Sequence, residues 1–170
     1  MVASSNRVAE ADRSIELGAE FSADRRYRYS LWRMWGAEAP LMFVGLNPST
    51  ADENEDDNTI RKCRGFARRL GYGGLIMVNL FAYRATDPRE MKRAADPIGA
   101  ENDEKLIAAA GRAGGIIAAW GAHGEHMERC YAVHSLLTSN GFRLQYLALT
   151  KDGQPRHPLY LPGHLEPKEF

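Results

Sequence analysis

The stretch Leu41-Met42-Phe43-Val44-Gly45-Leu46-Asn47-Pro48-Ser49-Thr50 decides how this chain is read. A short continuous apolar run ends abruptly in glycine, asparagine and proline. A strand of a parallel sheet reads this way, because crossover helices cover both of its faces. Glycine lets a ligand approach the backbone, and proline fixes the turn that follows. Asn47 brings a carbonyl acceptor and an amide donor group, enough to orient a water molecule or the edge of a base.

Outward from this strand the pattern repeats. Residues 74–80, 115–121 and 143–149 are further apolar strands. Between them, helical spacing runs over about 60–70, from Pro97 to about 110, and over 125–139. The first of these helices places Ile60, Cys63, Phe66, Ala67 and Leu70 on one face, with Asn58 or Thr59 able to cap its start and Gly71 ending it. Residues 81–96 read as a loop-rich connection. Regular alternation of strand and helix predicts an α/β three-layer sandwich. Its centre is expected to be a mainly parallel four-stranded sheet flanked by helices. Upstream, residues 25–35 alternate aromatic side chains with arginine and serine, as in a half-exposed N-terminal strand or half of a hairpin. Residues 1–20 are polar and aperiodic, a flexible or peripheral arm, which leaves 21–170 as a single α/β domain.

Bulk properties narrow the classes. The chain has 170 residues, 44% hydrophobic and 26% charged, ordinary for a globular domain. Lys+Arg and Asp+Glu are both 22, so net charge draws the chain toward neither nucleic acid nor a membrane surface. Cys63 and Cys130 are too few for a disulfide framework or a four-ligand metal or iron–sulfur site, and read as buried thiols in a reducing compartment. No apolar run approaches the ~20 residues of a membrane span. The first residues lack the apolar centre of a signal peptide, so a cytoplasmic location and no membrane partner are expected.

In an open parallel sheet the ligand sits beyond the carboxyl ends of the strands. The loops leaving those ends are residues 47–57, 79–87, 121–124 and 150–161. Asn79 closes an apolar strand, where asparagine is disfavoured; its amide either reads an amide-like edge such as a pyrimidine or caps the next loop. His157-Pro158 follows the last strand, and its imidazole either donates to an oxygen gaining negative charge or sits on a surface tail. Leu159, Tyr160 and Leu161 read as wedges against bases or as a tail docked on the core. Asp52–Asp57 holds five acids in six positions. Its spacing fits no known calcium loop, and a solvated loop ahead of a helix N-terminus is the better reading. His123, Glu125 and His126 lack a metal-binding spacing, so no metal is expected there. Arg61, Lys62, Arg64, Arg68 and Arg69 decorate one helix, either a phosphate-facing patch or a solvated face. Gly71-Tyr72-Gly73-Gly74 is a turn, not a dinucleotide fingerprint.

Taken in order, Gly45-Leu46-Asn47-Pro48, Val78-Asn79-Leu80, Ala118-Ala119-Trp120-Gly121 and His157-Pro158 resemble the strand-end motifs of the uracil-DNA glycosylase superfamily over about residues 41–161. The resemblance implies that Asn47 positions the attacking water, Asn79 reads the pyrimidine edge and His157 stabilises charge on the base oxygen. Gly45, Leu46, Pro48, Ser49, Thr50, Phe81 and Pro158 would complete the binding set. Leu159 stands where that superfamily usually has a serine gripping the DNA backbone. Its iron–sulfur branches use four cysteines, which this chain does not have. Gly45–Asp52 and Asn79–Pro88 are similar over longer runs to a family of small bacterial proteins called domain of unknown function 1643.

The resulting expectation is an N-glycosylase, a hydrolase of DNA-repair type, acting on a modified or deaminated pyrimidine in DNA without metal or organic cofactor. The base would be extruded into a pocket. Two alternatives keep that pocket: a hydrolase or binder of a free nucleoside or nucleotide, and a non-catalytic nucleobase-binding module. Basic Arg61, Arg68, Arg84 and Arg156 at the pocket would favour a polymer, and acids there a small molecule. A scaffold for protein contacts is the remaining alternative, and the sequence sets no oligomeric state.

Overall fold

A computed structural model describes residues 15–170; the expected arm over 1–14 lies outside the described residues. The elements are β1 (Glu16–Phe21), β2 (Arg28–Met34), β3 (Pro40–Gly45), α1 (Asn58–Arg69), β4 (Gly74–Asn79), α2 (Pro88–Arg93), α3 (Asn102–Arg112), β5 (Gly115–Ala118), α4 (Arg129–Ser139), β6 (Gln145–Tyr146) and β7 (Lys168–Glu169). Short 3-10 segments cover Ala122–Glu128 and Pro158–Tyr160.

The sheet has seven strands in the order β1-β2-β4-β3-β5-β6-β7. Its centre, β4-β3-β5-β6, is parallel, whereas β2 runs antiparallel to β4, β1 to β2 and β7 to β6. The sheet is thus mixed and larger than the expected four-stranded one. Three strands account for the difference. β2 is the strand expected over residues 25–35, but it is not half-exposed: Arg28 to Leu31 and Arg33 are buried, because it lies between β1 and β4. It pairs with β1, whose residues 16–20 belong to the stretch expected as an arm. β7 is a two-residue strand that closes the far edge.

Burial follows the pleat. Leu41 and Phe43 pack on one face with Leu75, Met77 and Ile117, under Ile60, Cys63 and Phe66 of α1. Met42 and Val44 pack on the other with Ile76 and Val78, under Leu106 of α3 and Val133 and Leu137 of α4. Period-two alternation therefore divides β3 and β4 between two cores, giving three layers. Cys63 and Cys130 are buried in opposite layers, and burial pushes both thiols above the usual cysteine range.

Several boundaries depart from expectation for visible reasons. Asp57, not Asn58 or Thr59, caps α1, accepting from Ile60 N at 2.9 Å. Asp87 caps α2 and Pro88 opens it, inside the expected loop. The helix expected from Pro97 starts instead at Asn102, because Asp96 Oδ1 accepts from Ile98 N and Gly99 N, and Gly99 turns with φ +91°. The helix expected from residue 125 starts at Arg129, after Met127 and Glu128 break the chain with φ of 55°. The fourth strand shrinks from residues 143–149 to Gln145–Tyr146, since Leu149 pairs instead with Pro155 in a local bridge.

Candidate functional site

The carboxyl ends of β3 and β4 lie side by side, with Gly45 opposite Asn79. A Cβ on Gly45 would sit 2.7 Å from Asn79 Oδ1 and 2.7 Å from Met77 Cε. Glycine is required here because the Asn79 side chain lies across β3. Asn79 is 2% exposed, and its Nδ2 has no hydrogen-bond partner among the described residues. A buried amide in that condition is costly unless something else satisfies it. Its position is fixed from below. Asn102 Nδ2 donates to the carbonyls of Asn79 and Leu80 at 3.1 and 3.0 Å, and Arg129 Nε donates to that of Leu80 at 2.8 Å.

A cavity of about 500 Å³ opens at this edge of the sheet. Leu46, Asn47, Pro48 and Ser49 line it from the loop after β3, Asn79 from the end of β4, and His157 from the tail. Three lengths of chain expected from sequence to share a site thus meet in one cavity. The other residues named from sequence lie just outside its lining. Gly45 makes room for Asn79, and Thr50 is exposed. Phe81 is buried against the His126 ring at 5.6 Å, and buried Pro158 opens the turn after His157.

Asn47 has a defined orientation. Its Nδ2 donates to Ala85 O at 2.8 Å and to Pro48 O at 3.2 Å. The donor end of the amide is thereby tied to the loop after β4, and Oδ1 accepts no hydrogen bond among the described residues. His157 is similarly defined. Its Nδ1 accepts from Leu159 N at 3.3 Å, which places the ring proton on Nε2. Burial pushes its pKa below the ordinary histidine value, and the nearby Asp57 charge opposes this only in part. The ring is therefore neutral near pH 7 and carries one N–H donor. The tail that presents it is anchored to the sheet. Gln154 Oε1 accepts from Trp120 Nε1 at 2.9 Å, and Gly121 N donates to Pro155 O at 2.7 Å.

Arg28 and Asp57 also line the cavity and were not singled out from sequence. Arg28 is 2% exposed, and burial brings its pKa down to about 10. Its position in an aromatic strand hid it. Asp57 was hidden within the acidic run. Trp120 and exposed Tyr160 also line it.

The rest of the acidic run has structural work. Fully buried Arg33 donates to Asp56 Oδ1 at 2.8 Å and to Asp52 O at 2.7 Å, binding the loop to the sheet. Burial alone would raise the Asp56 carboxyl, but hydrogen bonds from Arg64 and Arg33 hold it below its ordinary value. Glu53 pairs with Arg25 at 2.9 Å. The helix arginines are likewise engaged: Arg61 with Asn58, Arg64 with Asp56, Arg69 with Glu166, and Arg68 over the Trp35 ring. His123 Nδ1 lies 3.0 Å from Lys92 Nζ, and Glu125 accepts from Tyr131 and Gln154. Among the described residues, no group of three or more histidine, cysteine or acidic side chains is placed to hold a metal ion, and no helix is long and apolar enough to cross a membrane.

Fold and site together define an α/β protein with a cavity of mixed polar and apolar lining at the carboxyl edge of a parallel sheet centre. The chain belongs to the family described as Protein of unknown function (DUF1643), whose profile matches residues 28–159. No curated protein and no solved structure was found to match it.

Proposed function

We propose that the cavity takes a modified or deaminated pyrimidine base and that the chain hydrolyses the bond joining that base to its sugar, as an N-glycosylase of the kind the uracil-DNA glycosylase resemblance suggests. The observation that carries this reading is the unpartnered amide of buried Asn79, held in a cavity it shares with Asn47 and His157. A side-chain amide offers one donor and one acceptor in a plane, the complement of a pyrimidine's O4 and N3–H. In the reaction a water oxygen bonds to the anomeric carbon as the C–N bond breaks, and the electron pair leaves on the base. Asn47 Oδ1 orients the water. His157 Nε2–H donates to the base oxygen as charge develops there, an effect worth ~3–4 kcal/mol per donor. One water hydrogen stays on the new sugar hydroxyl, and the other ends on the departed base.

The resemblance points to DNA as the carrier of the base. A specific observation favours the second carrier, a free nucleoside or nucleotide. None of Arg61, Arg68, Arg84 and Arg156 lines the cavity, and Asp57 does. The test is base release, followed chromatographically. Substrates are uridine, 2′-deoxyuridine and single- and double-stranded oligonucleotides carrying uracil or 5-hydroxymethyluracil. Release that falls at least ~100-fold in His157→Ala supports the reading. No release from any of these substrates would overturn hydrolysis.

A further inference from the structure

Arg28 and Asp57 line the cavity but make no hydrogen bond to Asn47, Asn79 or His157. Arg28 Nη1 donates to Ala51 O at 2.8 Å, while its buried Nε has no partner among the described residues. Nη2 likewise makes no hydrogen bond among the described residues. Asp57 uses Oδ1 to cap α1 through Ile60 N, and its other oxygen accepts nothing among the described residues. The two side chains line one cavity, and Asp57 supplies the largest charge effect felt by Arg28, yet they form no salt bridge with each other. A guanidinium and a carboxylate are thus held apart across a gap, each with hydrogen-bonding capacity unspent. Asp57 is half-buried, but Arg28 is buried, and a buried guanidinium left partly unpaired is costly.

The chemistry of the gap selects its occupant. An anion would satisfy Arg28 but meet the Asp57 carboxylate, and a cation would do the reverse. A hydroxyl satisfies both, accepting from the guanidinium and donating to the carboxylate. We propose that Arg28 and Asp57 bridge a free sugar hydroxyl, so that the substrate is a nucleoside with unesterified hydroxyls rather than a base within a DNA strand. In a DNA strand the 3′ and 5′ oxygens are esterified and cannot donate to a carboxylate. This inference rests on the reading of the cavity as a base site and adds the sugar to it.

The test is calorimetric titration of the native full-length protein with uracil, uridine, 2′-deoxyuridine, 2′,3′-dideoxyuridine, 5′-deoxyuridine and an oligodeoxynucleotide carrying one deoxyuridine. Removal of at least one hydroxyl is expected to weaken binding about tenfold or more, and the oligonucleotide to bind more weakly than the best nucleoside. Asp57→Asn retains an oxygen to cap α1 but places an amide donor at the gap. It should erase the difference between nucleosides. The native ligand series decides the matter even if that variant fails to fold. Nucleosides within about twofold of one another, or an oligonucleotide bound as tightly as a nucleoside, would overturn the hydroxyl bridge while leaving base recognition standing. Failure of uracil and every nucleoside to bind would overturn both.

Discussion

At the scale of single residues, the site depends on what is absent at Gly45 as much as on what is present at Asn79. Gly45→Ala puts a methyl group 2.7 Å from Asn79 Oδ1, so the amide must move. Base binding in this variant should fall about as far as in Asn79→Ala, tenfold or more by calorimetry. Unchanged affinity would mean that Asn79 does not read the base. His157 gives a pH signature. Its folded pKa lies below the ~6.5 of an exposed histidine, so between those values the unfolded chain binds more protons. Stability is therefore whole above ~6.5 and declines as pH falls through the lowered folded value. His126, also depressed by burial, adds to the same decline. Urea unfolding at pH 7 and pH 5.5 should show a smaller loss in His157→Gln than in the native chain; an equal loss would contradict the neutral, buried ring.

At the scale of elements, much was legible because periodicity and burial agree. The apolar face of α1 was readable as Ile60, Cys63, Phe66, Ala67 and Leu70; the first four are buried, and Leu70, which caps the helix end, is half-buried. Phe66 also lies 6.4 Å from the Phe43 ring on β3. Phe66→Ala should destabilise by about 3–5 kcal/mol, and a calorimetric loss below 1 kcal/mol would contradict its place in that layer. Elements set by long-range pairing were harder to read. β1 has little apolar alternation and exists because β2 offers it an open edge. β6 is short because Leu149 finds Pro155 rather than a neighbouring strand. α2 carried a readable signal in Asp87-Pro88, a capping acid before a first-turn proline. Asp87→Ala should cost about 1 kcal/mol in urea unfolding.

At the scale of the whole molecule, alternating strands and helices set the position of the cavity, since loops leaving parallel strands gather at one edge. Asn47, Asn79 and His157 were legible as members of that edge because each is an unusual residue at or beyond the carboxyl end of an apolar strand. Arg28 and Asp57 were not. A strand arginine and one acid among several look ordinary until the fold shows which of them face the cavity. Zero net charge was likewise silent about the cavity, where one acid and one arginine stand apart. In the proposed function this cavity holds a pyrimidine base against Asn79. Calorimetric titration of the native chain and of Asn79→Ala with free uracil tests it most directly. Saturable binding to the native chain is expected, weakened at least tenfold by the substitution. Equal binding by the two proteins, or none by the native chain at millimolar uracil, would contradict it.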